Sequence, residues 1–172
     1  MRKIKSFKNI CKIVKKLQKE GKKIVFVNDV FDILHKGHVT LLVEAKKLGD
    51  VLVVGVDHDD NAWILKGEGR PIHDHQSRMF VLSKLEPVDY VFLIPSFGKT
   101  KDPDKINNFY RKLHLSLKAD VIATCVRAGK HGHFKKKHAE AVGAKFVDIK
   151  HNSYDISTSK IIERLKNNPE KW

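Results

Sequence analysis

Short apolar runs alternate with segments of helical periodicity along most of this chain, and that alternation restricts its possible folds more than any other feature. Each of the five apolar runs has the length of a strand and is followed by a segment in which apolar residues recur every three or four positions. The predicted strands span 23–28, 51–57, 89–94, 120–126 and 144–149. The predicted helices span 39–48, 76–85, 103–117, 135–142 and 157–166.

Strands that alternate with helices are joined by right-handed crossovers and pair in parallel, so helices cover both faces of the sheet. The continuous apolar run at 51–54 is typical of a strand buried on both faces. We therefore predict an α/β, Rossmann-like, doubly wound fold with a five-stranded parallel sheet. With 172 residues, of which 41% are hydrophobic, the chain fits a single domain over 1–172. Ligands bind such sheets outside the carboxyl ends of the strands.

Both ends of the chain differ from this regular pattern. In 1–22 the apolar residues recur at helical spacing among many lysines, which predicts an extra amphipathic helix at the N-terminus. Gly21 is a natural end for that helix. The polar residues 167–172 predict a frayed tail.

The net charge of +14 raises the question of a nucleic-acid partner. Residues 1–23 carry ten Lys or Arg against one Glu, and a second basic cluster spans 127–138. Single-strand binders interleave such residues with stacking aromatics, and neither basic cluster here shows that arrangement. We therefore expect no nucleic-acid partner and interpret the lysines as a solubilising surface.

The apolar segments and the cysteines indicate where the protein works. The longest apolar stretches are of strand length, far short of the roughly 20 residues that a membrane helix needs. No segment has the composition of a signal peptide. Cys11 and Cys125 are far apart in sequence, and we expect both to be packed thiols in a reducing compartment. The sequence thus predicts a soluble, cytoplasmic protein without a membrane partner.

The loop after the first strand carries the strongest chemical signal. It runs from Asn28 to His38 and leads directly into a predicted helix. His35 and His38 flank Gly37 where the start of a helix exposes unpaired N–H groups, which is a favourable site for phosphate. Imidazole N–H donors there would stabilise the charge that develops on a phosphorus during nucleotidyl transfer. The alternative is that both histidines only cap the helix.

Residues 31–38 resemble the His-x-Gly-His motif of the cytidylyltransferase-like nucleotidyltransferase superfamily. Residues 65–72, Arg78 and 88–89 are similar to the heptose 1-phosphate adenylyltransferase branch, and the resemblance runs from about 22 to 165. It implies transfer of AMP from ATP to a sugar 1-phosphate with release of pyrophosphate. It also implies Mg²⁺ arriving with the triphosphate, a phosphorylated small-molecule acceptor and a homodimer. We expect no protein-built metal site.

The resemblance also implies roles for individual residues. Those implied to be catalytic are His35, His38 and Lys46. Those implied to bind the nucleotide are Val27, Asn28, Asp29, Phe31, Gly37, Asp57, Ile156, Ser157, Thr158 and Ser159. Asp32, Arg70 and Arg78 are expected to bind the acceptor, and Arg127 and Lys130, in a segment that departs from the family, could compensate by binding phosphate.

Simpler structural roles exist for several of these residues. The hydroxyls of Ser157 and Thr158 could form an ordinary helix cap, and both roles can coexist. Lys46 could be solvated, and Arg70 and Arg78 could form salt bridges. The three histidines in 131–138 match no zinc spacing and have lysine neighbours, so we interpret this segment as a basic loop.

Two positions depart from the family pattern. Asp29 stands where relatives usually carry glycine, and 124–129 replaces a Lys-Gly-Gly-Asp-Tyr-like segment. These changes keep two alternatives open: a cytidylyltransferase acting on glycerol 3-phosphate or another polyol or amino-alcohol phosphate, and a catalytically silent nucleotide-binding module.

Overall fold

The computed structural model describes residues 3–125, 132–150 and 156–167. Its strands are β1 (Ile24–Asp29), β2 (Val51–Asp57), β3 (Tyr90–Ile94), β4 (Val121–Thr124) and β5 (Lys145–Asp148). They form one parallel sheet in the order β3-β2-β1-β4-β5. The predicted α/β fold with a five-stranded parallel sheet is therefore confirmed, and the strand bounds differ from the predicted ones by at most two residues.

Seven helices connect and flank the described strands. They are α1 (Phe7–Lys19), α2 (Lys36–Lys46), α3 (Asp59–Lys66), α4 (His75–Lys84), α5 (Pro103–Leu117), α6 (Gly132–Ala141) and α7 (Thr158–Asn167). The sequence interpretation missed α3. This helix has only eight residues, too few to show a clear period, and its start is marked by His58, whose Nδ1 accepts from the Asp60 N–H.

The two faces of the sheet carry separate apolar cores. Because successive side chains of a strand point to opposite faces, β1 contributes Val25 and Val27 to the core beneath α2 and α4. Ile24 and Phe26 enter the other core, beneath α1 and α5. All four side chains are at most 1% exposed. Burial on both faces explains why the strands appear as continuous apolar runs rather than alternating ones.

The predicted N-terminal helix is present but shorter than 1–22. It begins at Phe7, where Ser6 caps it by accepting from the Asn9 N–H. Before it, Ile4 pairs with Val91 of β3 as a parallel bridge, so these residues are extended and not helical. This bridge occupies the outer edge of β3 and satisfies backbone groups that an open edge would expose.

The predicted tail lies mostly outside the described residues, which end at Asn167. None of the helices in the described ranges has the length and apolar character needed to traverse a bilayer. The sheet order reverses direction at β1, which pairs with β2 on one side and β4 on the other. Parallel sheets bind ligands in the crevice at such a reversal, so a ligand site is expected where β1 and β4 end.

Candidate active site

The histidine pair lies at the N-terminus of α2. His35 is the N-cap residue, and its Nδ1 accepts from the Gly37 N–H at 3.1 Å. The His35 and His38 rings stack with centroids 3.8 Å apart and planes 23° from parallel. The capping role therefore exists, and it holds the rings together at the end of the helix that attracts anions.

Both imidazoles are suited to donate hydrogen bonds as neutral groups. Since Nδ1 of His35 accepts a hydrogen bond, the neutral ring carries its proton on Nε2. Burial, reinforced by His35 and Lys66, lowers the pKa of His38 to about 4 despite the opposing effect of Asp29. The buried Nδ1 of His38 has no hydrogen-bond partner within the described ranges. His38 is thus a buried imidazole whose Nδ1 can still form a hydrogen bond.

Phe31 shapes this loop. Its φ angle is +52°, in the left-handed region that bulky residues rarely adopt. Its ring is 2% exposed and meets the His38 ring edge to face, with centroids 5.3 Å apart. The ring supports His38 from the core side, and strained backbone of this kind is common at functional sites.

A carboxylate and two lysines meet where β1 ends. Lys66, the last residue of α3, has its Nζ 3.9 Å from Asp29 Oδ1. Lys135 of α6 donates from Nζ to the carbonyl of Asn28 at 2.7 Å and to the Thr124 hydroxyl at 3.3 Å. Burial alone would raise the pKa of Asp29, but Lys66 and Lys135, together with His38 and the Val30 N–H, lower that pKa. The site thus concentrates positive charge around one carboxylate.

The sequence interpretation missed both lysines. Lys66 belongs to the segment 65–72 that carried the family resemblance, and Lys135 belongs to the segment 131–138 that was interpreted as a basic loop. Both lysines thus belong to segments that the sequence alone already singles out. What the sequence did not reveal is that α3 and α6 direct these two side chains to the end of β1.

The N-terminus of α7 contacts the histidine loop. The Thr158 hydroxyl, 7% exposed, donates to the carbonyl of Ile33 at 3.3 Å. Ser157 Oγ accepts from the Lys160 N–H at 3.2 Å, as an N-cap does. Ile156 is partly buried and Ser159 is exposed. A second helix N-terminus therefore contacts the histidine loop, two residues before the N-cap of α2.

Lys46 is not part of this cluster, contrary to the prediction. It follows His38 by eight residues on α2, which places it about 12 Å farther along the helix, away from the site. Its Nζ lies 2.5 Å from both Asp89 Oδ2 and the carbonyl of Asp50, beside the amino ends of β2 and β3. Lys46 therefore lies near the amino ends of the strands, whereas the histidines lie near their carboxyl ends.

Asp32 and Arg70 bind each other. The Arg70 Nε lies 2.5 Å from Asp32 Oδ2, and the Asp32 side chain is 1% exposed. The other carboxylate oxygen accepts from the N–H groups of Ile72 and His73 at 2.8 and 3.1 Å. This contact fastens 70–73 to the histidine loop, which favours the salt-bridge interpretation over acceptor binding.

Arg78 is likewise satisfied inside the protein. The residue is 2% exposed and donates to the carbonyls of Val30, Asp57 and His73. Its remaining partner is the Asp59 carboxylate, at 2.6 Å. Because the guanidinium joins the ends of β1 and β2 to α4, its observed contacts are structural. The Val27 side chain is packed in the core.

A cavity of about 550 Å³ opens beside the charged cluster, on the side of α5 and α6. Asn28, Asp29 and Asp57 border it, together with both lysines. The Asp57 Oδ1 accepts from the Tyr110 hydroxyl at 2.5 Å, and burial raises the pKa of Asp57. The cavity lining includes Asp29 and Val30 of the loop after β1 but neither His35 nor His38.

Arg127 and Lys130 lie outside the described residues, as does most of the segment 124–129. Among the residues that are described, no group of three or more His, Cys, Asp or Glu side chains could hold a metal ion.

Comparison with known proteins identifies the family. Residues 26–164 match the model of the family described as cytidylyltransferase-like. The bifunctional protein HldE of a Nitratiruptor species is 40% identical over 166 residues, which is 95% of this chain. The HldE of Helicobacter pylori (strain J99) is 38% identical over 158 residues, or 90% of the chain. The chain spans 32% and 30% of the lengths of these two curated relatives.

Solved structures agree with this assignment. The lipopolysaccharide core biosynthesis protein from Thermoplasma volcanium is 32% identical with a TM-score of 0.59, covering 77% of this chain and 100% of its own. Pantothenate synthetase from Thermus thermophilus has a TM-score of 0.68 over 98% of this chain and 71% of its own, and at 15% identity it shows only a shared fold. The family model, the identities and the histidine loop lead to one conclusion: the chain belongs to the cytidylyltransferase-like family.

Proposed function

We propose that this chain is a nucleotidyltransferase that transfers AMP from ATP to a heptose 1-phosphate-like sugar 1-phosphate and releases pyrophosphate. The observation that carries the proposal is the stacked pair of His35 and His38 at the start of α2, together with a cavity that Asp29, Lys66 and Lys135 border. The N-terminus of α7 contacts the histidine loop, whereas neither histidine borders the cavity.

The triphosphate fits the histidine side. The two helix N-termini offer the positive ends of their dipoles to the phosphates, and the neutral His38 ring and the Nε2 of His35 add N–H donors. These donors are held in place before the reaction begins, by the cap at His35 and the packing of Phe31. Donors held in this way stabilise the charge that grows on the α-phosphate oxygens in the transition state.

The acceptor fits the cavity side. In an in-line displacement the attacking oxygen approaches the α-phosphorus opposite the departing pyrophosphate, so the two substrates must enter from opposite directions. Lys66 and Lys135 border the cavity and contact Asp29 and the Asn28 carbonyl at the end of β1, where an acceptor phosphate would meet the nucleotide. Their ammonium groups would neutralise the repulsion between the two phosphates.

The reaction balances without a covalent enzyme intermediate. A phosphate oxygen of the acceptor forms a bond to the α-phosphorus of ATP as the bond from that phosphorus to the β-phosphate oxygen breaks. The electron pair leaves with pyrophosphate. A phosphate monoester is already largely ionised at neutral pH, so positioning and charge stabilisation are the main contributions of the protein.

Mg²⁺ would enter with the triphosphate rather than occupy a preformed site. The nearest carboxylates, Asp29 and Asp57, are already engaged by lysine and tyrosine. A triphosphate brings its own oxygen ligands, and Mg²⁺ keeps several waters when it binds this way. The ion would supply further charge neutralisation at the phosphates.

The relatives support the choice of a sugar phosphate. Similarity to the bifunctional HldE proteins extends over at least nine-tenths of this chain, and a relative with a solved structure is titled a lipopolysaccharide core biosynthesis protein. Lipopolysaccharide core assembly is a carbohydrate process, and a nucleotidyltransferase acting in it would activate a sugar phosphate.

The proposal is tested by measuring pyrophosphate release with ATP or CTP against a panel of acceptors: heptose 1-phosphate, mannose 1-phosphate and glycerol 3-phosphate. We expect release with ATP and heptose 1-phosphate. Replacing His38→Ala should lower kcat at least about 100-fold, because a transition-state donor is lost. His73→Ala, at an exposed histidine, is the matched control and should leave kcat unchanged.

Each of the other outcomes would indicate a different function. Release only with CTP and glycerol 3-phosphate would replace the proposal with the cytidylyltransferase alternative. Tight nucleotide binding without pyrophosphate from any acceptor would indicate a silent binding module. Full activity in His38→Ala would remove the histidine loop from the mechanism.

A further inference from the structure

The inner wall of the cavity carries polar groups that the proposed transfer chemistry does not use. Asn107, Tyr110 and His114 lie on α5, and His138 lies on α6. All four border the cavity. His114 and His138 are only 2% and 4% exposed, and their rings meet edge to face with centroids 5.2 Å apart. Two buried imidazoles in contact, beside a cavity, require an explanation.

His138 presents an acceptor. Its Nε2 lies 2.8 Å from the amide oxygen Oδ1 of Asn107, and an amide oxygen can only accept. Nε2 therefore carries the proton of the neutral ring, which leaves Nδ1 with a lone pair. That Nδ1 is buried and has no partner within the described part of the chain. Burial, followed by the charges of Arg111 and Lys135, lowers the pKa of His138 and keeps the ring neutral.

His114 presents both a donor and an acceptor. Neither of its ring nitrogens has a hydrogen-bond partner among the described residues. Burial, with a further effect of His138 and Lys135, lowers its pKa to about 3, so the ring is a neutral imidazole with one N–H and one lone pair. Buried polar atoms without partners are uncommon in folded proteins and are unfavourable until something pairs with them.

The chemistry of this wall matches a hydroxyl group better than a phosphate. A hydroxyl donates and accepts at once, as the unpaired nitrogens require. None of these four residues is a lysine or an arginine, and the neighbouring Asp57 carboxylate would repel an anion. Two of the lysines that border the cavity contact the end of β1, Lys66 at Asp29 and Lys135 at the Asn28 carbonyl. A ligand with a phosphate at one end and hydroxyls at the other would match this polarity.

We propose that the inner wall formed by Asn107, Tyr110, His114 and His138 binds the ring hydroxyls of the acceptor and selects a polyhydroxylated sugar phosphate. This inference rests on the proposed function, because it takes the cavity to be the acceptor site. Asn107 is a positioning residue in it, since its amide sets the tautomer of His138. The two imidazoles make the contacts with the hydroxyls.

The test compares KM for heptose 1-phosphate and for its monodeoxy analogues in the wild type and in Asn107→Ala, His138→Leu and His138→Gln. A lost hydrogen bond should raise KM for the sugar about three- to tenfold. His138→Gln keeps an acceptor and should recover part of that loss. KM for ATP should stay unchanged. Asn108→Ala, on an exposed neighbour of Asn107, is the matched control.

Substrate analogues separate hydroxyl binding from a general packing effect. In the wild type, removing the hydroxyl that faces the wall should raise KM about as much as His138→Leu does. In His138→Leu the same deletion should have little further effect. Additive effects for every analogue, or an unchanged KM in folded Asn107→Ala and His138→Leu proteins, would overturn the inference.

Calorimetry keeps this test independent of turnover. If the wild type releases no pyrophosphate, the proposed transferase function fails. Titration of heptose 1-phosphate in the presence of a non-hydrolysable ATP analogue then compares Kd between the same variants. The same three- to tenfold weakening would support the hydroxyl-binding wall even then, and absence of binding to the wild type would overturn it.

Discussion

Asp29 is the residue at which this chain differs most consequentially from the pattern it resembles. Its carboxylate occupies the centre of a cluster in which Lys66 and Lys135 approach from two helices. A bound phosphate would compete with that carboxylate for the same ammonium groups. Asp29 therefore stabilises the cluster without ligand and opposes phosphate binding.

Replacing Asp29→Asn is expected to strengthen nucleotide binding and to weaken the fold. Without the carboxylate, both lysines are free to pair with phosphate, and Kd for ATP should fall about three- to tenfold. The free energy of unfolding should fall by about 1–3 kcal/mol, because a partly buried charge loses its partner. Calorimetric titration and urea unfolding measure the two effects. Asp60→Asn, at a carboxylate more than half exposed, is the control. An unchanged Kd would contradict the competition.

Arg78 provides a prediction about stability alone. Its guanidinium satisfies three carbonyls and one carboxylate in the interior, so Arg78→Met should cost about 3–5 kcal/mol in urea unfolding. Arg78→Lys should recover little, since an ammonium group cannot reproduce the planar fork. Arg111→Met, at an exposed arginine, should cost less than about 0.5 kcal/mol. A stable Arg78→Met protein with weakened acceptor binding would restore the predicted substrate role.

At the scale of elements, the direction of each helix decides whether its lysine lies near the candidate phosphate site. Helix α2 starts at the histidines and carries Lys46 away from them, whereas α3 ends at Lys66 beside Asp29. Lys46 instead ties the end of α2 to Asp89, whose Oδ2 also accepts from the Leu52 N–H. The two lysines form a natural pair of matched variants.

Lys66→Met is expected to lower kcat/KM at least tenfold, which corresponds to about 1.4 kcal/mol of lost phosphate binding. Lys46→Met should leave kcat/KM within about twofold and reduce the free energy of unfolding by about 1–2 kcal/mol. Steady-state kinetics and urea unfolding of both variants check this. The opposite pattern, with activity lost only in Lys46→Met, would return the catalytic role to Lys46.

The elements differ in how much of them the sequence reveals. The strands and long helices were predictable because periodicity is a local property, and the histidine loop because its residues are consecutive. Helix α3 is too short for its period to be visible. The roles of Lys66 and Lys135 depend on where distant helices direct their side chains. The structural roles of Arg70 and Arg78 depend on partners up to 48 residues away.

At the scale of the whole molecule, buried neutral histidines on both sides of the sheet link stability to pH. His38 lies on α2 and His114 on α5, and burial lowers their pKa values to about 4 and about 3. Below the ordinary histidine pKa of about 6.5, the unfolded chain takes up protons that these folded side chains refuse. The contribution of these neutral histidines to the free energy of unfolding is fully present above pH 6.5 and is lost as the pH falls.

The free energy of unfolding should therefore decrease between pH 6.5 and 4, by up to about 1.4 kcal/mol per pH unit for each of the two histidines. His114→Leu should make this decrease shallower, because one protonation of the unfolded chain disappears. His73→Asn, at an exposed histidine, should not. Urea unfolding across this range measures the slope. Equal slopes in the wild type and His114→Leu would show that His114 is not held neutral.

The sheet order has a consequence for how the protein is made. Within this sheet β1 is synthesised first and is also the central strand, and its second neighbour β4 is synthesised only after β2 and β3. Until then a nascent chain carries the histidine loop with one wall of its crevice missing and one apolar strand edge bare. The crevice is thus complete only after β4 has been made, and shorter fragments with this bare edge would be clients for chaperones.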